Sequence, residues 1–330
     1  MKKFLTILLI AVLAVASVFT FTACDNGSKT DGKTGLLYKK NRDGEYVIYK
    51  YVDDGRTSTK LDIADEIKDI EAELKDGTKL VIRKGAFADN NTIEELVIPA
   101  SVTEVEAGAL EKMKKLSTLS VAFVGKTVLS DAYYAESKKE DGKSVDAERT
   151  IAHYFSEQSY DEGVSVTVNY GAGSKTVYMP ATLTKVVVTP VDNYSIPMYA
   201  FNGTYNILDV ELGEKVDAIG TFAFANSRIQ SIVIPANVKT IYESAFASSA
   251  LLKTVSYAGS DLVIKAEAFS GCAKFETFNS TKKYTLNCDK VASIGRGAFD
   301  FGNDKEYTTL SVATSINLEI AFGEQDYKKI

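Results

Sequence analysis

Few residues in this chain have the chemistry of a catalytic or metal site. His153 is the single histidine among 330 residues, and three cysteines supply all of the thiols. A metal site or a nucleophilic triad needs several such groups at ligand or hydrogen-bond spacing. No cysteine or carboxylate accompanies His153 at that spacing, and its neighbours Tyr154 and Phe155 are aromatic. The sequence therefore predicts a packing role for His153, no catalytic residues and no enzyme activity.

The other motifs that could bind ions or phosphate are incomplete. Asp-Gly pairs such as Asp43-Gly44 mark turns, and none continues into the alternating acidic residues and closing Glu of a calcium loop. Phosphate-binding glycine loops, paired-carboxylate motifs and the Gly-x-Ser-x-Gly nucleophile elbow are missing from the sequence. A net charge of −6 argues against binding to nucleic acid. We therefore expect no cofactor, no metal and no nucleic-acid partner.

An alanine followed by an aromatic residue recurs through the chain and organises the rest of the sequence. In the clearest unit, Ile229 to Ser249, a short strand precedes Pro235, two apolar residues and the pair Ala245-Phe246. Many successive pairs lie 22 or 23 residues apart, and a fixed period of this size indicates a solenoid. The predicted structural anchors are Phe87, Leu110, Phe201, Phe224, Phe246, Phe269, Phe299 and Phe322, with Leu110 as a variant.

Each repeat contains apolar positions that it cannot bury alone. A strand with alternating apolar residues, as at Ile232 and Ile234, precedes the anchor. Stacked repeats join these side chains into one continuous core, and their burial drives folding. A second apolar position lies five residues before each anchor, at Ile82, Val105, Ile196, Ile219, Ile241, Ile264 and Ile294.

The repeat pattern L-x-I-P-x-x-V-x-x-I-x-x-x-A-F resembles the BspA-like leucine-rich repeat family of bacterial surface proteins. Leu96 to Leu110, Val210 to Phe224 and Ile232 to Phe246 carry the pattern best. The resemblance implies a leucine-rich-repeat solenoid with a short strand and a loop or short helix in each repeat of about 23 residues. It also implies a curved, right-handed array with an N-terminal cap, and adhesion to host or matrix protein or to neighbouring cells.

The first 35 residues have the pattern of an export signal and a tether. A basic start precedes an apolar run that ends at Phe21, and small residues lead to Cys24. This order resembles a bacterial lipoprotein signal, which implies a signal peptide at residues 1–23 and lipid attachment at Cys24. An uncleaved transmembrane anchor is the alternative, since the run is long enough to span a bilayer. Residues 24–35 are small and polar, which is typical of a flexible tether.

The folded part divides into an N-terminal segment and the repeat array. Residues 36–79 predict a β-hairpin and a helical stretch, which we interpret as an N-terminal cap or a degenerate repeat. The solenoid occupies residues 80–330, with the repeats beginning at about Leu80. An irregular module lies at about residues 123–181, where the repeat signature fades, and one extra turn is inserted near Lys282 to Cys288.

Cys272 and Cys288 leave two interpretations open. In an exported chain the two thiols could form a disulfide. Alternatively, both pack as buried free thiols, because Cys272 falls at a repeat position that faces the solenoid interior.

The best candidate for a binding site is a surface. Side chains alternate along a strand, so the residues between buried positions line up on the outer face of the sheet. In the C-terminal half this row is uncharged, which favours recognition by hydrogen bonds and shape with a weak dependence on salt. The charged loop from Ser137 to Arg149 is the rival site. The candidate binding face comprises Ser231, Val233, Thr254, Ser256, Thr277, Asn279, Thr309 and Ser311.

These features predict a monomeric, exported and lipid-anchored protein at the bacterial cell surface or envelope. We expect it to bind a macromolecular partner, a protein, through the sheet face and to touch the membrane through its N-terminal lipid only. Two alternatives remain at this point. One is a structural envelope protein that binds a bacterial partner, and the other is a surface hydrolase of glycans or peptides.

Overall fold

The computed structural model describes residues 35–128, 139–140, 143–144, 146–170, 173–302 and 309–312. The predictions for the signal peptide, Cys24, nearly all of the tether and Phe322 lie outside these residues. Within the described residues, no helix has the length and apolar character needed to cross a membrane.

The described chain begins with a hairpin and short helices. Strands β1 (Gly35–Lys40) and β2 (Tyr46–Val52) pair antiparallel, which confirms the predicted hairpin. The segment that follows contains β3 (Lys60–Asp62), α1 (Ile63–Glu66), a 3-10 helix (Lys68–Ile70) and α2 (Glu71–Lys75). The Asp62 side chain accepts a hydrogen bond from the Ala64 backbone N–H at 2.9 Å and caps α1.

The later strands are mostly two to four residues long. Through the middle of the chain they are β4 (Leu80–Ile82), β5 (Glu95–Ile98), β6 (Glu104–Val105), β7 (Thr118–Val121), β8 (Lys139–Glu140), β9 (Lys143–Ser144), β10 (Gly163–Tyr170), β11 (Gly173–Pro180), β12 (Lys185–Val188), β13 (Tyr194–Ile196) and β14 (Asp209–Leu212). The remaining strands are β15 (Val216–Ile219), β16 (Ser231–Ile234), β17 (Thr240–Ile241), β18 (Thr254–Tyr257), β19 (Leu262–Ile264), β20 (Thr277–Phe278), β21 (Thr285–Cys288), β22 (Val291–Ile294) and β23 (Thr309–Val312).

The strands form two rows that run along the array. The face row contains the sheets β14-β12-β7-β5-β3 and β16-β18-β20-β21-β23, and every strand pair in it is parallel. The second row contains the sheets β1-β2-β4-β6 and β13-β15-β17-β19-β22. The sequence predicted only the face-row strand of each repeat. The second strand went unpredicted because two or three residues around one buried position, such as Ile241 in β17, show no alternation.

The predicted anchors lie at the centre of the core. Phe201, Phe224, Phe246, Phe269 and Phe299 are buried and stack ring on ring, with centroids 4.9, 5.0, 5.1 and 5.7 Å apart in that order. Neighbouring ring planes lie within 10° of parallel. Phe87 and Leu110 are buried as well, so each predicted anchor within the described residues lies in the core.

Backbone hydrogen bonds run through the same turns. The Phe224 N–H donates to the Ala245 carbonyl at 2.7 Å, and the Phe246 N–H donates to the Ala268 carbonyl at 2.8 Å. The residue two positions before the anchor has a positive φ, as at Phe222 with 54°. This left-handed region is unfavourable for a bulky side chain, so the hydrogen-bonded coils hold the turn in a strained shape.

The array begins earlier than the predicted start at about Leu80. Strand β3 pairs in parallel with β5, with Leu61 opposite Leu96, and β2 pairs in parallel with β4. The hairpin and the helical segment therefore form the first coil of the same core. The same segment carries exposed ion pairs, including Lys75 with Glu71 at 2.8 Å, which give this part of the array a polar surface.

The irregular module interrupts one strand row and leaves the other intact. In the face row β7 pairs directly with β12, whereas the second row breaks between β6 and β13. Two 3-10 helices (Asp146–Arg149 and Ile151–Tyr154) and the β10–β11 hairpin fill the gap. The Leu110 N–H donates to the Tyr154 carbonyl at 2.8 Å, the bond that an anchor makes to the next turn elsewhere. The module therefore shares the core of the array.

The extra turn near Lys282 supplies an additional face-row strand. Strand β21 lies between β20 and β23 and pairs in parallel with both. Cys272 and Cys288 are buried and unbridged, which favours the free-thiol interpretation. The Cys272 thiol donates to the Phe246 carbonyl at 3.2 Å.

Candidate binding face

The candidate binding face is built by the register of the face row. Ile232 and Ile234 of β16 point into the core, so Ser231 and Val233, which alternate with them, point outward. Because β16 and β18 pair in parallel, Ser231 lies beside Thr254 and Val233 beside Ser256. Outward side chains of neighbouring strands are thus about 4.8 Å apart along the array. On β16 and β18 the result is a continuous surface to which each strand contributes two outward side chains.

Most of the predicted face residues are accessible. Ser231 is exposed, Val233 retains 65% of its accessible surface, and Thr254 and Ser256 are partly exposed. Ser311 is partly exposed in β23, where its hydroxyl donates to Asp289. Thr309 lies in the same strand, at the position beside Thr285.

Two of the predicted residues are placed differently from the prediction. Thr277 is only 5% exposed, and its hydroxyl is buried without a hydrogen-bond partner. It therefore contributes to the packed sheet and leaves no accessible side chain for a ligand. Asn279 follows β20, which ends at Phe278, and has a φ of 50°. It lies in the turn that leaves the strand and is partly exposed.

The face contains further residues that the repeat pattern did not predict. Strand β21 lies between β20, which contains Thr277, and β23, which contains Thr309. It adds two side chains at face positions: Thr285 is buried and Asn287 is partly exposed. The 30-residue spacing from Phe269 to Phe299 was the signal for this strand. At the other end, β5 and β7 extend the face through four partly exposed residues, Glu95, Val97, Thr118 and Ser120.

The charges of the N-terminal half of the face are paired. Lys60 and Glu95 lie side by side on β3 and β5 with 2.6 Å between charged atoms. Lys185 on β12 reaches Asp209 at 3.5 Å and also contacts Glu211, both on β14. The hydrogen bond to Glu211 raises the pKa of Lys185. Exposed pairs of this kind add little stability, and they cancel only part of the negative charge, because Lys185 faces two carboxylates.

A basic edge, absent from the sequence analysis, borders the C-terminal half of the face. The chain enters β16, β18, β20 and β21 along one side, and the exposed cations there are Arg228, Lys253, Lys274, Lys282 and Lys283. We call this set the basic rim. The Lys253 N–H donates to the Gln230 carbonyl and the Glu276 N–H donates to the Lys253 carbonyl, both at 2.8 Å, so these entry segments follow one another at strand spacing. Glu276 reaches Lys283 at 3.7 Å.

His153 packs inside the module, as predicted. Its ring is 5% exposed, and its Nε2 lies 3.0 Å from the Val105 carbonyl oxygen. Burial lowers the pKa of His153 to about 4, so the ring is neutral and donates this hydrogen bond at pH 7. The described residues contain no group of three or more His, Cys, Asp or Glu side chains that could hold a metal ion.

The thiols of Cys272 and Cys288 are buried and unreactive. Burial raises the pKa of Cys272 to about 12 and that of Cys288 to about 12. Both side chains are therefore protonated at neutral pH, and a protonated buried thiol is a poor nucleophile and a poor metal ligand.

Two parallel strand rows, a repeated anchor turn and one continuous core define a leucine-rich-repeat solenoid. The model for the BspA type leucine rich repeat region matches residues 61–140 and 174–303 in six copies. This match covers more than half of the chain, and the chain therefore belongs to the BspA-type leucine-rich repeat family. No curated protein matches it.

Solved structures of similar fold come from several bacteria. A leucine rich cell surface protein from Faecalibacterium prausnitzii is 16% identical, with a TM-score of 0.30, over 88% of this chain and 78% of the other. The leucine rich repeat protein of T. pallidum is 15% identical, with a TM-score of 0.35, over 82% of this chain and 88% of the other. The pneumococcal vaccine antigen PcpA is 15% identical, with a TM-score of 0.30, over 72% of this chain and 64% of the other.

Proposed function

We propose that this protein is an exported, lipid-anchored scaffold that binds a macromolecular partner outside the cytoplasm through the face row. Membership of a repeat family named for bacterial surface proteins supports an adhesive or protein-binding role in general terms. The apolar leader and Cys24 support export and lipid attachment. A similar fold in a protein described as a cell surface protein agrees with this location.

The observation that carries the proposal is the continuity of the accessible face. Ser231, Val233, Thr254 and Ser256 lie in register on two paired strands, and none of them is charged. Val233 is 65% exposed and adds an accessible apolar group to this uncharged surface. A rigid array with such a surface suits recognition of an extended partner.

A non-catalytic role agrees with the chemistry of the described residues. The buried His153 is neutral and hydrogen-bonded to a backbone carbonyl, and the thiols of Cys272 and Cys288 are protonated. None of these groups has the activated neighbour that acid-base or nucleophilic catalysis requires. A scaffold that binds is therefore favoured over a hydrolase.

The test uses neutral blocking substitutions on two sheets of the same array. Thr254→Tyr with Ser256→Tyr fills the face without changing charge, and tyrosine suits strand positions. Thr240→Tyr with Ser293→Tyr makes the matched change on β17 and β22 of the second row. The full chain, purified in detergent, is presented to extracellular matrix proteins and to the envelope of the producing cell, and the bound partner is quantified.

Loss of binding in the face variant alone supports the proposal. Equal binding by both variants and the wild type contradicts it. The rival loop is tested by replacing Lys139 to Ser144 with Gly-Ser, which keeps Glu148 and its bond to the Lys126 N–H. Loss of binding only in this loop variant would move the site to the module.

A further inference from the structure

We infer that the C-terminal half of the face binds a polyanionic glycan, a sulphated or uronic-acid chain, and that the basic rim supplies the charge recognition. This inference rests on the proposed function, because it names the partner class of the same face. The charge of the basic rim differs from that of the whole chain. The whole chain carries a net charge of −6, yet the basic rim gathers five cations with a single carboxylate, Glu276, among them.

The opposite side of the face row, where the chain leaves β14, β16, β18 and β21, has no such bias. Where the chain leaves the face row, Glu214, Asp261 and Asp289 alternate with Lys215, Lys239 and Lys290. These six exposed charges cancel. The asymmetry between the two sides therefore gives the face a positive edge along the four neighbouring strands from β16 to β21. Its length is about 14 Å at the usual strand spacing, which suits a linear ligand with repeated anionic groups.

The cations of the basic rim are available to a ligand. Lys283 lies 3.7 Å from Glu276, and no ion pair links Arg228, Lys253, Lys274 or Lys282 to another of the described residues. All five side chains are exposed. Because cations without a nearby carboxylate keep their full attraction for an external anion, the rim favours an anionic partner and repels a cationic one.

The chemistry of the face beside the rim favours a glycan over a protein. The accessible side chains there are hydroxyls and amides, at Ser231, Thr254, Ser256, Asn279 and Asn287, with Val233 as the one apolar member. Such groups donate to and accept from sugar hydroxyls. Protein interfaces instead centre on buried aromatic and Arg anchors, which these face residues do not provide. Stacking platforms for the bases of a single-stranded nucleic acid are missing from the same set.

The rim also changes the expected dependence on salt. The uncharged side chains of the face, considered alone, predict an affinity that depends weakly on salt. Attraction between exposed cations and a polyanion is instead screened within about 8 Å at physiological ionic strength. Binding to a polyanionic glycan should therefore weaken as salt is raised. The slope of that dependence reports directly on the rim.

The experiment measures the affinity of the full chain in detergent for heparin, used as the sulphated glycan probe, at several salt concentrations. The rim variant carries Arg228→Gln, Lys253→Gln and Lys274→Gln. The matched variant carries Lys215→Gln, Lys239→Gln and Lys290→Gln, which removes the same charge from the opposite side. Unsulphated heparosan, polyglutamate and single-stranded DNA are compared as further probes.

We expect the rim variant to raise the Kd for heparin about tenfold at low salt, or about 1.4 kcal/mol in total, and to flatten its salt dependence, because it removes three exposed cations. The matched variant should stay within about twofold of the wild type, because the exposed carboxylates Glu214, Asp261 and Asp289 lie on the same side and oppose an anionic ligand there. Heparosan keeps the uronic acids and should bind more weakly than heparin.

Three outcomes overturn the inference: no binding of heparin by the wild type, equal losses in both variants, or polyglutamate or DNA bound as tightly as heparin. Failure here remains distinguishable from failure of the proposed function. If heparin does not bind while Thr254→Tyr with Ser256→Tyr still abolishes capture of another partner, only the glycan inference is wrong.

Discussion

The phenyl rings of Phe224 and Phe246 stack with their centroids 5.0 Å apart and their planes 3° from parallel. The two residues belong to successive repeats, and the Phe224 N–H donates to the carbonyl of Ala245, the neighbour of Phe246. Ring stacking and backbone bonding therefore join the same two coils at the same point. This relationship recurs from Phe201 to Phe299 and explains how a chain of short strands obtains one core.

Phe246→Ala should lower the free energy of unfolding by about 3–5 kcal/mol, because it removes a ring stacked on both sides and leaves a cavity. Chemical denaturation of the full chain in detergent measures the change. Ser231→Ala, on the exposed face, is the control and should stay within about 0.5 kcal/mol of the wild type. Similar small effects of both substitutions would show that Phe246 does not hold the coils together.

Thr277→Val should raise the free energy of unfolding by about 1 kcal/mol. The Thr277 hydroxyl is buried without a hydrogen-bond partner, and a buried unpaired hydroxyl costs about 1–3 kcal/mol. Valine has nearly the same shape and suits a strand. Thr254→Val, one strand away and partly exposed, should change the stability little. A destabilised Thr277→Val variant would indicate that the hydroxyl has a partner after all.

The stability should fall in mild acid through His153. Burial lowers its pKa to about 4 from an ordinary value of 6.5, so the unfolded state binds a proton more readily than the folded state between these values. Stability is therefore fully present above pH 6.5 and is lost as the pH falls toward 4, by up to about 3 kcal/mol. His153→Gln keeps an N–H donor for Val105 and does not titrate.

The measurement compares urea unfolding of the wild type and His153→Gln at pH 7.5 and pH 4.5. The wild type should lose more stability between the two pH values than the variant does. Equal losses would mean that His153 titrates normally and that other groups cause any acid sensitivity.

Cys24→Ala should abolish lipid attachment. Expressed in a bacterium, the wild type should partition into the detergent phase as a processed chain, whereas the variant should accumulate as a longer precursor. Phase partitioning and mass spectrometry of the N-terminus supply the readout. Identical partitioning of the two proteins, with Met1 retained in both, would contradict the lipoprotein assignment and favour an uncleaved anchor.

The repeat architecture could be predicted because the same signal recurs. A single Ala-Phe pair means little, but the anchors Phe201, Phe224, Phe246 and Phe269 follow one another at 22 or 23 residues, and each is buried. Face-row strands were predictable for the same reason, since Ile232 and Ile234 alternate with exposed residues. Periodicity averages out the weak preference of any one residue.

The parts that were missed depend on contacts between coils. Strand β17 has two residues, Thr240 and Ile241, and exists only because β15 and β19 lie on either side of it. The burial of Thr277 depends on its packing within the sheet and on no pattern in its own strand. The basic rim is also invisible along the sequence, because Arg228 and Lys253 lie 25 residues apart and come together only when the coils stack.

The central claim is that the face row contacts the partner, and site-specific photo-cross-linking tests it most directly. A photoreactive amino acid replaces Val233, which is 65% exposed on the face, or Ser293, which is exposed on the second row. Each full-chain variant is bound to the captured partner and irradiated. We predict covalent attachment from position 233 and only background from position 293. Equal attachment from both positions, or attachment from position 293 alone, would contradict the account.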